Sequence, residues 1–120
     1  MLINEASASG GDLLPWMFRK FGLGRLVGKT TWGGLVGILG FPPLMDGAQV
    51  TAPDFAIWNE DGWIVENVGV PPDVTVEMDP ASFAEGKDPQ LERAIEMINQ
   101  SLKEYSPPRL ERPAYPVRNK

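Results

Sequence analysis

Residues 4–18 read NEASASGGDLLPWMF, and they are the most informative stretch of the chain. A short apolar run ends at Asn4 in small and polar residues, and a helical pattern of apolar residues follows Asp12. This order predicts a buried strand, a tight turn that contains serines, and the start of a helix. A serine in such a turn has an exposed hydroxyl, beside the free N–H groups of the first helical turn. Those N–H groups can stabilise the oxyanion of a tetrahedral intermediate.

The same residues also allow a purely structural interpretation. Serine, glycine and aspartate before a helix are ordinary capping and turn residues. The chain contains no histidine, which is the usual base beside a serine nucleophile. A catalytic serine here would need another base in the chain or a histidine from elsewhere, and otherwise the serine is not a nucleophile.

Composition narrows the class of protein. With 120 residues the chain forms at most one domain. The net charge of −5 disfavours nucleic acid as a partner, because phosphate binding needs clustered lysine and arginine. The absence of cysteine and histidine argues against disulfides and zinc sites, and no cofactor is indicated. No apolar run approaches the ~20 residues that span a bilayer, so no membrane partner is expected.

The rest of the chain predicts an α/β layout with short strands. Residues 30–40 are rich in glycine and predict a loop with an extended piece at Leu35 and Val36, and residues 60–62 predict a hairpin turn. Residues 106–120 are rich in proline and predict an extended tail. Strands are predicted at residues 1–4, 25–29, 49–52, 54–59, 63–66 and 74–78, and amphipathic helices at residues 12–21 and from Pro89 to about Tyr105, with Asp88 as the N-cap.

Three segments together resemble the tricorn-type and C-terminal-processing serine peptidases. They are NEASASGGD (residues 4–12), GLGRLVGKTTWGG (22–34) and VENVGVPPD (65–73), in the order of that family. The resemblance implies part of the α/β fold shared by Clp proteases and crotonases, with a nucleophile-bearing helix and a C-terminal amphipathic helix. It also implies that residues 1–105 are the C-terminal part of a catalytic domain whose natural beginning lies upstream.

The resemblance implies a role for each of three residues. Ser9 corresponds to the nucleophile, Gly10 to a backbone donor of the oxyanion hole, and Glu66 to the glutamate of a catalytic tetrad. Ser7 is then a turn residue. The histidine of tricorn-type members comes from a segment upstream of the nucleophile, so its absence here is expected of a partial chain.

Two alternatives remain open at the level of sequence. The related serine–lysine peptidases carry their lysine near the position of Gly34, which cannot act as a base; Lys29 is the nearest substitute and would make a Ser9–Lys29 peptidase. A non-catalytic module that binds peptides, or an inactive fragment, is the other alternative. Without a family context, Glu66 would simply open a turn.

The implied partners follow from a peptidase activity. The substrate is a peptide, and residues Trp32, Gly33, Gly34 and Leu35 are expected to contact it, with extended Leu35 and Val36 able to pair with it as an added strand. A histidine-bearing N-terminal half of the same protease and a homo-oligomer in the complete enzyme are also expected. The resemblance implies a cytoplasmic enzyme, with the periplasm as the alternative.

Overall fold

The computed structural model describes residues 1–117, which contain two long elements, both helices, and several short strands. The elements are β1 (Leu2–Ile3), α1 (Gly10–Lys20), β2 (Val27–Gly28), β3 (Gly37–Gly40), β4 (Thr51–Phe55), β5 (Trp58–Asn59), β6 (Gly62–Trp63), β7 (Val74–Thr75), α2 (Pro80–Ala84) and α3 (Pro89–Glu104).

A three-stranded parallel sheet in the order β1-β2-β7 carries the core. Leu2 pairs with Val27, and Val27 pairs with Val74. Helix α1 connects β1 to β2, which is the crossover that parallel neighbours require. The predicted strands at residues 1–4, 25–29 and 74–78 are therefore confirmed in position, although each is shorter than predicted. The core consists of Ile3, Leu26, Leu35, Ile64, Val65 and Val70, all buried.

Helix α1 begins two residues earlier than predicted. Its first residue is Gly10 rather than Asp12, because the Ser9 carbonyl already accepts from the Asp12 and Leu13 N–H groups. Pro15 consequently lies at the sixth helical position and not in the first turn. A proline there removes one backbone hydrogen bond of the helix. Pro15 is buried, so its ring contributes to packing.

Four further expectations differ from the structure. The strand predicted at residues 63–66 is the first, because β6 ends at Trp63 and Val65 lies in a turn with positive φ. Leu35 and Val36 are not in a strand; β3 begins at Gly37 and pairs antiparallel with β4. The predicted strand at 54–59 is interrupted at Ala56 and Ile57, so its ends belong to two different hairpins. The short helix α2 was not predicted, although Asp79 caps it by accepting a hydrogen bond from the Ser82 N–H at 2.9 Å.

The outer elements of the described chain are poorly covered. Helix α3 is capped by Asp88 as predicted, but Ile98 on its apolar stripe is 60% exposed. The β3–β4 hairpin exposes Ile38 and Phe55. The radius of gyration is 21.3 Å, whereas a compact domain of this length has about 14 Å. Residues 106–117 form neither helix nor strand and are exposed. Within residues 1–117, no helix has the length and apolarity to span a bilayer.

Candidate active site

Ser9 lies between β1 and α1 and is exposed to solvent. Its backbone has φ 54° and ψ −110°, a conformation that residues with a side chain rarely adopt. Such strain costs on the order of 1–3 kcal/mol and persists only where the surroundings impose it. Here the Ser9 N–H donates to the Gly34 carbonyl at 3.1 Å and to the Asp12 carboxylate at 2.8 Å. These two acceptors hold the serine in its turn.

The N–H of Gly10 is the expected oxyanion donor. Gly10 is the first residue of α1 and is exposed, so its N–H belongs to the free donors of a helix N-terminus. The next two N–H groups are used within the turn: Gly11 donates to Ala8, and Asp12 donates to the Ser9 carbonyl. Within residues 1–117, no backbone acceptor pairs with the Gly10 N–H. It can therefore donate to an oxygen that forms next to Ser9.

Asp12 lies within the candidate site, and the sequence interpretation did not include it among the site residues. Its side chain is fully buried, at 0% exposure. One carboxylate oxygen accepts from the Gly33 N–H at 2.8 Å, and the other accepts from Ser9 at 2.8 Å and from Gly34 at 3.1 Å. The pattern of a serine followed three residues later by an acid is the signal that could have found it.

Glu66 binds the next two N–H groups of the glycine-rich segment at residues 30–40. Its Oε2 accepts from the Leu35 N–H at 2.6 Å and from the Val36 N–H at 2.7 Å. Every buried side-chain oxygen or nitrogen in residues 1–117 has a hydrogen-bond partner. Glu66 is half-buried, and its Oε1 has no hydrogen-bond partner in these residues. Oε1 is therefore not itself buried, and a donor from outside can reach it.

A strained turn presents Glu66 to its partners. The residues on either side, Val65 and Asn67, have φ of 66° and 63°. The Glu66 N–H donates to the Ile64 carbonyl at 2.7 Å, which closes a γ-turn around Val65. A positive φ is a genuine outlier for a β-branched residue such as valine. Backbone strain of this kind concentrates at functional sites.

A single peptide unit connects the serine to the glutamate. The Gly34 carbonyl accepts from Ser9, while the Leu35 N–H of the same peptide group donates to Glu66. Because a peptide unit is planar, the Ser9 nitrogen and Glu66 Oε2 are at most roughly 8 Å apart. The structure thus brings Ser9, Gly34, Leu35 and Glu66 together.

Trp32 and Gly33 shape the surface of this segment. The Trp32 ring lies against Gly34, where an added Cβ would be 2.5 Å from a ring carbon, and 68% of Trp32 is exposed. Gly33 has φ 83°, and a Cβ there would be 2.6 Å from the Gly69 nitrogen. This close approach of two backbones requires glycine. The N–H groups of residues 33–36 are all bound to Asp12 or Glu66, and the Gly33 and Gly34 carbonyls accept from Asn67 and Ser9. The N–H groups of Leu35 and Val36 are therefore not free to pair with an added strand, contrary to the expectation from the sequence.

Ser7 and Lys29 have other partners. The Ser7 hydroxyl accepts from the Asn4 N–H at 3.2 Å and stabilises the turn. Lys29 forms ion pairs with Glu77 at 2.9 Å and Glu5 at 3.4 Å. The hydrogen bond to Glu77, together with the charge of Glu5, raises the pKa of Lys29. A general base needs a lowered lysine pKa.

Comparison with known proteins shows that the chain is similar to tricorn proteases both in sequence and in structure. The chain is 43% identical to the tricorn protease of Thermoplasma acidophilum over 114 residues, which is 94% of this chain and 11% of that protein. A crystal structure of the tricorn protease superposes with a TM-score of 0.79 at 46% identity, and the match covers 85% of this chain and 10% of that one. The structure of mature CPAF complexed with lactacystin matches with a TM-score of 0.68 at 21% identity, over 87% of this chain and 20% of that one, and shares the fold.

The chain spans about a tenth of the length of the curated relatives that it matches, from 9% to 12%. The family model described as peptidase family S41 matches residues 1–76. This range contains Ser9, Asp12 and Glu66 with the segment between them. The chain therefore belongs to peptidase family S41.

Proposed function

We propose that this chain supplies the nucleophile half of a serine peptidase of the tricorn type. Ser9 is the nucleophile, the Gly10 N–H is an oxyanion donor, and Glu66 supports a histidine from a segment outside this chain. The observation that carries the proposal is the peptide unit of Gly34 and Leu35, which joins the strained serine turn to the glutamate turn. Two strained turns tied to one peptide group are typical of a functional site.

The proposed reaction is acyl transfer. The Ser9 oxygen attacks the carbonyl carbon of the scissile bond, and its proton goes to the histidine. The Gly10 N–H donates to the oxygen that becomes negative. The histidine then passes the proton to the leaving amine, the C–N bond breaks, and an acyl-serine remains. Water hydrolyses this ester by the reverse sequence of proton transfers.

Glu66 has the chemistry that this scheme requires. Because Oε2 is held by two backbone N–H groups, the carboxylate is fixed in orientation. Oε1 is accessible and can accept from a hydroxyl or an imidazole of the incoming segment. Its negative charge would stabilise the imidazolium that forms during attack.

The peptide substrate would lie along residues 32–36. The exposed Trp32 ring lies against Gly34, whose carbonyl binds Ser9, and offers the substrate an apolar surface there. Residues 1–105 would be the C-terminal part of a Clp- and crotonase-like catalytic domain, with 106–120 as its tail. A homo-oligomer is expected of the complete enzyme.

A non-catalytic peptide-binding module remains the second candidate, because the chain has no histidine of its own. The Ser9–Lys29 peptidase is disfavoured, because two carboxylates keep Lys29 protonated.

Adding the upstream segment distinguishes these candidates. The purified chain alone should not hydrolyse fluorogenic peptides. The chain joined to a histidine-bearing segment should hydrolyse them. Turnover by the chain alone that depends on Lys29 would contradict the proposal. Peptide binding without turnover after the two parts are joined would favour the binding module.

A further inference from the structure

The Asp12 carboxylate connects two parts of the site that are more than twenty residues apart in sequence. It accepts a hydrogen bond from the Ser9 N–H in the serine turn, and two from the Gly33 and Gly34 N–H groups in the glycine-rich segment. We propose that Asp12 is a positioning residue for the nucleophile: it fixes the strained conformation of Ser9 relative to Gly34. This inference rests on the proposed serine-peptidase function.

Backbone donors alone satisfy this buried charge. Among the ion pairs of residues 1–117, none includes Asp12, and its side chain is fully buried. An acid in the first turn of a helix is also favoured by the helix dipole. Buried charged groups are costly unless their hydrogen bonds are complete. Three N–H groups at 2.8, 2.8 and 3.1 Å therefore fix the Asp12 carboxylate, and the carboxylate fixes the backbone of Ser9, Gly33 and Gly34.

Loss of this carboxylate would act on the serine and on the glutamate together. The Ser9 N–H would keep only the Gly34 carbonyl, at 3.1 Å, as an acceptor that holds Ser9 in its strained conformation. The Gly33 and Gly34 N–H groups would be released as well, and Gly34 shares its peptide group with the Leu35 N–H that binds Glu66. A shift of about 1 Å in the reacting groups can cost about 10²-fold in rate.

Two substitutions of Asp12 test the positioning role. Asp12→Asn has nearly the same size, but its amide nitrogen replaces either the oxygen that accepts from Gly33 or the oxygen that accepts from Ser9 and Gly34. At least one N–H group then faces a donor. Asp12→Glu keeps both oxygens and moves them by about one C–C bond length, roughly 1.5 Å. The matched control is Asp73→Asn, because Asp73 also accepts a backbone N–H, from Leu26 at 2.6 Å, but joins α1 to the sheet through Arg19.

The measurement is the rate of Ser9 phosphonylation by a fluorophosphonate in the complete protein, with the chain joined to its histidine-bearing segment. The maximal rate constant is determined for the molecules that label, so unfolded molecules do not contribute. Asp12→Asn should lower this constant by about 10²-fold, with the half-saturating probe concentration changed by less than about threefold. Asp12→Glu should lower it by at least about tenfold, and Asp73→Asn should leave it within about twofold of wild type.

Each result has a defined meaning. If both Asp12 variants label at the wild-type rate per active molecule, or no more slowly than Asp73→Asn, Asp12 is only a structural cap and the inference is wrong. If Asp12→Asn does not fold, the Asp12→Glu rate decides in the same way. If Ser9→Ala still labels at the wild-type rate, the proposed function itself fails, whatever the Asp12 variants do.

Discussion

Two serines only two residues apart have different surroundings, and this difference makes a prediction at the scale of single residues. Ser9 is exposed in a strained turn, whereas Ser7 is half-buried and bonded to Asn4. In the assembled enzyme, Ser9→Ala should reduce peptide hydrolysis by about 10⁴-fold or more, because only binding and the oxyanion hole remain. Ser7→Ala should cost far less. A severe Ser7→Ala with a mild Ser9→Ala would assign the nucleophile to Ser7.

Glu66→Gln should give an intermediate loss of kcat. The glutamine oxygen can take the place of Oε2 and still accept both the Leu35 and the Val36 N–H groups, so the turn is largely kept. The charge that would stabilise an imidazolium is lost. Steady-state hydrolysis should therefore fall between the Ser9→Ala and Ser7→Ala values. An unchanged kcat would reduce Glu66 to a turn residue.

At the scale of elements, the sequence predicted the positions of both long helices and of the three strands that form the parallel sheet, because apolar spacing and caps are local. Asp88 and Pro89, for example, mark the start of α3 directly. The segment around Leu35 and Val36 could not be predicted. Its conformation depends on hydrogen bonds to Asp12 and Glu66, which are more than twenty residues away, and no local propensity encodes such contacts.

The backbone at Gly69 lies close to the backbone at Thr31, so we expect a substitution of Gly69 to lower the stability of the fold. Gly69 has φ 69°, and a Cβ there would be 2.2 Å from the Thr31 carbonyl oxygen. Gly69→Ala should therefore destabilise the complete protein by at least about 2 kcal/mol, from backbone strain and the clash. Gly40→Ala is the control, since a Cβ at Gly40 meets no atom within 4 Å. Equal unfolding midpoints in urea for these two variants would contradict the described packing of the loops.

Asp73 links α1 to the sheet through Arg19 and the Leu26 N–H, and we expect the stability that this link contributes to depend on pH. The Leu26 N–H, and then Arg19, hold the pKa of Asp73 below its usual value. Its contribution to stability is therefore complete above about pH 4 and is lost as the pH falls further. The difference in unfolding midpoint between wild type and Asp73→Asn should shrink below about pH 4. A difference that stays constant from pH 7 to pH 3 would show that the charge of Asp73 is not responsible.

At the scale of the whole molecule, the uncovered apolar surface predicts association of the isolated chain. Ile38, Phe55 and Ile98 are among many large apolar residues that are more than half exposed. Apolar patches beyond a few hundred Å² promote association. Sedimentation of the purified chain should reveal dimers or larger species, and a dye that binds apolar surface should fluoresce. A monomer with a cooperative unfolding transition in dilute solution would instead indicate a self-sufficient domain.

The central claim is that Ser9 is a nucleophile that becomes active when a histidine is supplied to the site. The most direct measurement labels the complete protein with a fluorophosphonate and locates the modified residue by peptide mass spectrometry. We expect the adduct on Ser9 in the joined protein, and no adduct on the isolated chain. An adduct on Ser7 or on another residue, or no Ser9 adduct in a joined protein that hydrolyses peptides, would contradict the account.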